Sequence, residues 1–252
     1  MKIVTISDTH NKHKNIYIPE GDVILHAGDA TGLGERKEIA NFIKWYGSLP
    51  HTYKIMIAGN HDWGFDSARA KEYEDFCEEH GVIYLNDSEC VITDFNTGED
   101  IKIWGSPVQP EFCDWAFNRA RSKPESRDFG NQGGYNHHDF IGTHWDMIPK
   151  DIDILITHGP PHGFLDQVKM LGSPNLGQNV GCELLSEKIL EVKPKLHVFG
   201  HIHESRGVIV DKTKDITYVN ASSLNERYQP HIDNTFVFDW GKVKKGESRG
   251  RD

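Results

Sequence analysis

The chain has 252 residues, of which 37% are hydrophobic and 26% charged, with a formal net charge of −10. That balance excludes a disordered chain and gives enough length to bury a sizeable core in one domain. The acidic surplus argues against a stable nucleic acid partner, because adhesion to phosphate backbones depends on excess Lys and Arg.

The four cysteines, Cys77, Cys90, Cys113 and Cys182, have no C-x-x-C spacing. They read as reduced packing thiols, not as a disulfide framework or a thiolate metal site. The chain passes from "MK" straight into "IVTIS", and no apolar run is long enough to cross a bilayer. A cytoplasmic location and no membrane partner are the expectation, with the oligomeric state left open.

Taken in chain order, "KIVTIS" (2–7), "DVILHA" (22–27) and "YKIMIA" (53–58) have the near-continuous apolar character of strands buried on both faces. Between the second and third lies "ERKEIANFIKWYG" (35–47), which sets Ile39, Phe42, Ile43 and Tyr46 on one helical stripe. A second helix is expected over 66–81, starting at capping-type residues and stopping at glycine. From Val82 onward come β-like segments, among them "CVITDF" and "DIKIWG" with "NTGE" (96–99) as a hairpin turn. "DILIT" (153–157) and "LHVFG" (196–200) are further buried strands, separated by a helix over 182–194. "GVIVD", "ITYVN" and "TFVFDW" follow. The pattern predicts a mixed α/β domain (α+β) over 1–241, with 242–252 as a flexible basic tail.

The polar motifs come directly after the buried runs. "SDTH" supplies Asp8 and His10, "AGD" Asp29, "AGNHD" Asn60, His61 and Asp62, "THG" His158, and "GHIH" His201 and His203. In α/β sheets the carboxyl ends of strands are where ligands bind, so five segments are expected to converge. Side chains two apart on an extended segment share a side, which aims Asp8 with His10, and His201 with His203, into a common volume. The donor set is oxygen and imidazole without thiolate. It suits Mn, Fe or Zn, and its size fits two divalent ions sharing a carboxylate. Two such ions roughly 3.5–4 Å apart can activate water and stabilise an in-line phosphoryl displacement.

The ordered set "DTH", "GD", "GNHD", "THG" and "GHIH" resembles the calcineurin-like metallophosphoesterase superfamily. "GDVILHAGDATGLG", "IWGSPVQPEFCDWAFN", "THGPPHG" and "NASSL" further resemble its metallophosphoesterase-domain (MPPED) branch, near the class III cyclic nucleotide phosphodiesterases. The resemblance implies a double β-sandwich flanked by helices in four αββα layers. It implies that Asp8, His10 and His203 hold one metal, that Asn60, His158 and His201 hold the second, and that Asp29 bridges them. Asn60 would orient a phosphate oxygen, and His61 would protonate or stabilise the leaving oxygen. Manganese is the first expectation for the metal. The implied activity is hydrolysis of small phosphodiesters by a metal-bridged hydroxide, with cyclic nucleotides or nucleotide-like compounds as candidate substrates.

One position departs from the protein phosphatase branch. That branch reads G-D-x-x-D-R-G, and here "GDATGLG" puts Gly32 where the second Asp would stand. Asp62 receives no role, being expected to point away from His61. Trp115, Phe117 and Asn118 have two readings, a base or ring pocket and core packing beneath a loop. His162 is a candidate substrate contact. His137 and His138 read as solvent-facing or structural, and Asp22 and His26 as scaffold. Two competing functions remain, a broad phosphomonoesterase and a nucleotide-binding regulator with little turnover. Retention of His203, which completes the first ligand set, argues against the regulator.

Overall fold

The computed structural model describes residues 1–122 and 140–247. His137, His138 and the last five residues of the tail lie outside them. In chain order the strands are β1 (Lys2–Ile6), β2 (Val23–Ala27), β3 (Tyr53–Ile57), β4 (Ile83–Tyr84), β5 (Ser88–Asp94), β6 (Glu99–Ser106), β7 (Gln109–Pro110), β8 (Asn118–Arg119), β9 (Ile154–Thr157), β10 (Leu196–Phe199), β11 (Gly207–Asp211), β12 (Ile216–Asn220) and β13 (Phe236–Asp239). The helices are α1 (Arg36–Gly47), α2 (Ala70–Glu79), α3 (Ile141–Asp146), α4 (Glu183–Val192) and α5 (Trp240–Val243).

Two sheets carry the fold. One has the order β13-β1-β2-β3-β4, the other β11-β12-β10-β9-β6-β5, and β7 and β8 pair separately. The pairs β1–β2, β2–β3, β3–β4, β6–β9, β9–β10 and β10–β12 are parallel, and antiparallel pairs place β13, β11 and β5 at the other edges. Parallel strands must be covered on both faces, which explains their continuous apolar runs. Ile3, Leu25 and Ile57 from the first sheet meet Ile103, Ile156 and Val198 from the second in one apolar seam. On the outer face of the first sheet, Val4, Ile24 and Met56 pack under Ile39, Phe42 and Tyr46 of α1 and Cys77 of α2. On the outer face of the second, Trp104, Leu155 and Phe199 pack under Trp145 of α3 and Ile189 of α4. The layers are therefore helix, sheet, sheet, helix, as the motif set implied.

Local chemistry accounts for most helix limits. Glu35 and Glu38 form a reciprocal capping box at the start of α1. Lys193 adopts a left-handed conformation that ends α4 one residue before Pro194. The second helix starts later than expected, at Ala70. Asp66 does not cap it, because that residue closes a 3₁₀ turn and its carboxylate accepts a hydrogen bond from the Phe117 amide at 2.8 Å. The expected tail is also corrected at its start: Lys242 and Val243 belong to α5, and Val243 is buried in the apolar seam. Among the described residues, no helix is long and apolar enough to cross a membrane.

Tyr46 ties α1 to the sheet beneath it. Its buried hydroxyl lies 2.9 Å from the Ile24 carbonyl and 2.8 Å from the Ile55 carbonyl. Tyr46→Phe removes this link with almost no change in volume. A urea melt is expected to show a loss of about 1–2 kcal/mol.

Candidate dinuclear metal centre

Each motif residue sits just beyond a strand end, and the stacked sheets bring those ends together. Asp8 and His10 follow β1, Asp29 follows β2, Asn60 and His61 follow β3, His158 follows β9, and His201 and His203 follow β10. Hydrogen bonds cross between the sheets at this edge. The His201 amide donates to the Asp8 carboxylate at 3.1 Å, and His158 Nδ1 lies 2.9 Å from the Ala27 carbonyl.

The convergence is as expected, but the reason offered for it is corrected. Asp8 and His10 do not alternate on an extended strand. Asp8 (φ 53°), His10 (φ 36°), Asp29 (φ 56°) and His201 (φ 68°) all have left-handed backbone, and His203 opens a 3₁₀ turn. Such conformations are uncommon for residues other than glycine and concentrate at functional sites. Abrupt turns, not strand pleat, aim these side chains inward. Glycines make room beside them. A Cβ at Gly28 (φ 97°) would lie 2.5 Å from His158 Nδ1, and one at Gly200 would overlap the Asp8 carboxylate.

The donor atoms form two groups joined by Asp29. Those of Asp8, His10 and His203 lie within 4.8 Å of one another, as do those of Asp29, His158 and His201. Asp29 Oδ2 is 3.6 Å from His10 Nε2 on one side and 3.4 Å from His158 Nε2 on the other. Asn60 Oδ1 approaches His158 Nε2 at 2.9 Å. Asp8 and His158 are 0% exposed and Asp29 is 2% exposed, so this charge is held almost entirely away from water.

Ring orientation supports metal binding. His10 Nδ1 faces the Thr31 carbonyl at 3.1 Å and His203 Nδ1 the Asn225 carbonyl at 3.0 Å; with His158 on Ala27, three rings are anchored through Nδ1. Donation from Nδ1 fixes the ring plane and turns Nε2 toward the cluster, as is usual behind a metal-bound imidazole. Oxygen and imidazole donors, the anchored rings and the central carboxylate fit two divalent cations sharing Asp29.

Electrostatics point the same way. Burial opposes ionisation of Asp8 and Asp29, yet neighbouring His203 and His158 hold both carboxyls well below the usual range. Burial pulls the imidazoles of His158 and His203 down, but Asp29 and Asp8 more than offset it, and both are pushed up to about 9. His10, by contrast, is lowered by burial to about 4 and His201 to about 3. Two carboxylates buried here require two positive charges, and a cation bound at Nε2 displaces the proton held there.

His61 occupies a different position. Its amide donates to Asp29 Oδ1 at 2.8 Å, and its Nδ1 lies 2.7 Å from the Gly32 carbonyl. Gly32 stands where the protein phosphatase pattern has Asp, so here a backbone carbonyl supports the histidine. Trp115 packs on the other face of the ring, with centroids 4.2 Å apart. The "CDWAFN" segment therefore divides. Trp115 borders the site, whereas Phe117 and Asn118 are buried, and Asn118 Nδ2 holds the carbonyls of Phe112 and Cys113. His162 is exposed and lies outside the cavity over the metal residues. Asp22 accepts from the Lys2 amide, and His26 is fully buried beside Thr9.

Three contributors had no role in the sequence reading. Asp62 turns under the site, and its carboxylate accepts from the amides of Ala30, Thr31 and Gly59 and from the Thr31 hydroxyl. Burial, with the Asp29 charge adding, pushes its carboxyl up to about 6. Ser222, in the "NASSL" motif after β12, places its hydroxyl 2.8 Å from Asp8 Oδ2. Its place beyond a buried strand was the available signal. Tyr228 packs edge-on against His10 and His203, and no sequence pattern marks it.

Two outcomes follow. Asp62→Ala strands three buried amides, and is expected to cost about 3 kcal/mol in a denaturant melt and to weaken metal retention with it. Metal binding near neutral pH should release protons from His158 and His203. Titration calorimetry in buffers of different ionisation enthalpy should report that release, with affinity rising as pH approaches 9. In chelator-treated protein the sign reverses. The stability from these raised imidazoles is present below their ordinary value of 6.5 and is lost as pH rises through about 9.

Comparison with known proteins places this geometry. The model of the calcineurin-like phosphoesterase family matches residues 1–205. Metallophosphoesterase domain-containing protein 1 of Homo sapiens is 42% identical over 250 residues, covering 91% of this chain and 68% of that protein. The Mus musculus protein of the same name matches to the same extent. Among solved structures, phosphopantetheinyl hydrolase from Mycobacterium tuberculosis superposes with a TM-score of 0.59 at 16% identity, over 90% of each chain. TT1561 of Thermus thermophilus gives 0.54 at 14% identity, over 96% of each chain. Those two likenesses concern the fold. The family match over the motif-bearing residues, joined to two donor clusters around Asp29, makes this chain a member of the calcineurin-like phosphoesterase family, related to the metallophosphoesterase-domain proteins, with a site for metal-dependent phosphoester chemistry.

Proposed function

We propose that the protein is a dinuclear, metal-dependent phosphodiesterase that hydrolyses small phosphodiesters, cyclic nucleotides among them, with Mn²⁺ as the preferred ion. The observation that carries the reading is Asp29 set between two donor clusters, with Asn60 and His61 on its flank. The likeness of "CDWAFN" and "THGPPHG" to the metallophosphoesterase-domain branch, near the class III cyclic nucleotide phosphodiesterases, supports the diester preference. Four free thiols support a reducing, cytoplasmic setting.

Asp8, His10 and His203 would hold one ion, and Asn60, His158 and His201 the other, with Asp29 shared. When bound, the ions supply Lewis acidity and a nucleophile drawn from water at neutral pH. The chain's own residues do the rest. Asp29 stays ionised and keeps the two clusters together. Asn60, fixed through Oδ1, orients a phosphate oxygen. His61 is held at Nδ1 by Gly32 and against Trp115, which leaves Nε2 as the ring nitrogen for the leaving oxygen. As general acid it donates the Nε2 proton to the departing alkoxide. Support from a carbonyl, not a carboxylate, leaves His61 without a stabilising anion at Nδ1.

The test begins with chelator-stripped protein assayed on bis-p-nitrophenyl phosphate and p-nitrophenyl phosphate, with and without Mn²⁺. Metal-restored turnover that favours the diester is expected. A monoester preference would make the protein a phosphomonoesterase, and two retained metals per chain without turnover would make it a binding regulator. His61→Ala should lower kcat by about 10²–10³-fold while metal content holds. Loss of both together would make His61 structural.

A further inference from the structure

A cavity of about 580 Å³ opens from the metal residues toward solvent. Asp29, Asn60, His61 and His201 form its floor, so a phosphoester bound there must place one of its ester groups in this space. The walls are unusual for an enzyme acting on phosphates. Among the described residues, Arg121 is the one Arg or Lys that lines it, whereas Glu111, Glu183, Glu204 and Glu226 all do. Arg121 is already committed: its guanidinium donates to the Gly181 and Val180 carbonyls and to Glu183 at 2.6 Å. Glu204 accepts from the Lys169 and Met170 amides through Oε1. Glu111 and Glu226 stand at the rim, Glu226 with Arg227 beside it at 3.9 Å.

The remaining surface is apolar or amide-bearing. Phe112 (52% exposed) and Tyr228 (41% exposed) present aromatic surface around the opening, with Trp115 farther in. Gln109, 1% exposed, also lines the cavity. Its Nε2 donates to the Ala116 carbonyl at 2.8 Å and to Asn118 Oδ1 at 3.1 Å, which fixes the amide's orientation. Its buried Oε1 has no hydrogen-bond partner among the described residues. The aromatic walls suit a ring-bearing group, and the carboxylates of Glu111, Glu204 and Glu226 oppose a second anion.

We propose that this cavity selects monoanionic phosphodiesters whose second ester group is uncharged or cationic and rejects esters carrying a further phosphate. The inference rests on the phosphodiesterase reading above. It assigns Glu111, Glu204 and Glu226 as specificity-determining residues that act by repulsion, a common means of discrimination.

A substrate pair isolates the charge. Thymidine 5′-monophosphate p-nitrophenyl ester and its counterpart bearing an added 3′-phosphate share the scissile ester and the nitrophenolate leaving group. With the Mn²⁺-loaded protein at low salt, the 3′-phosphate should lower kcat/KM by about tenfold or more. The ratio should move toward unity as ionic strength rises. It should do the same in the Glu111→Gln, Glu204→Gln, Glu226→Gln triple variant, read as a ratio within each protein. Equal kcat/KM for the two esters, or a salt-independent ratio, would overturn the selectivity while leaving phosphodiesterase activity established. No turnover of either ester would overturn the phosphodiesterase reading, and this inference with it.

Discussion

A single carboxylate organises this molecule. Asp29 reaches toward His10 on one side and His158 on the other, and accepts the His61 amide through its second oxygen. It is 2% exposed, so its charge has almost no water to settle in. A buried anion is costly unless it is paired. Asp29 obtains its partners from both sheets, because His10 follows β1 and His158 follows β9. The two layers must therefore stack with their carboxyl ends in line. The apolar seam between them provides that alignment, and the site depends on it.

The supporting groups are arranged to keep this charge from collapsing into ordinary ion pairs. Backbone carbonyls of Thr31, Asn225 and Ala27 hold three imidazoles at Nδ1, so their Nε2 atoms are presented to the interior. Asp62 lies below and gathers backbone donors from the turns after β2 and β3. Left-handed residues at Asp8, His10, Asp29 and His201 store local strain that the packed strands enforce. A surface loop bearing the same residues would relax. Here the turns begin and end on strands that are buried on both faces.

Around that rigid centre, the chain supports His61 through backbone and packing. Gly32 offers a carbonyl to His61, and Trp115 covers the ring. Trp115 belongs to a loop braced from behind by Asn118 and tied to Asp66 through the Phe117 amide. The loop therefore joins the end of the 3₁₀ turn after β3 to the cavity wall. His61 and the cavity wall share one structural support.

Much of this was legible in the residues themselves. Apolar runs without alternation meant strands covered on both faces, and polar motifs at their ends meant a shared edge. The α1 stripe of Ile39, Phe42, Ile43 and Tyr46 was readable because helical periodicity is local. Other features depended on distant partners. Asp66 resembled a helix cap, yet it bonds Phe117, 51 residues away. Asp62 was set aside on the assumption of an extended segment, and the turn after Asn60 folds it under Asp29. Tyr228 carries no motif and reaches His10 only because the chain returns after β12.

The sequence by itself determined the donor chemistry, the order of the motifs and the layering of helices and sheets, since these follow from residue type and short-range periodicity. Only the tertiary structure decided the left-handed turns that aim the donors, the carbonyl behind His61 and the gathering of Glu111, Glu204 and Glu226 at one cavity. Each of those depends on groups far apart in the chain being pressed together where water cannot separate them.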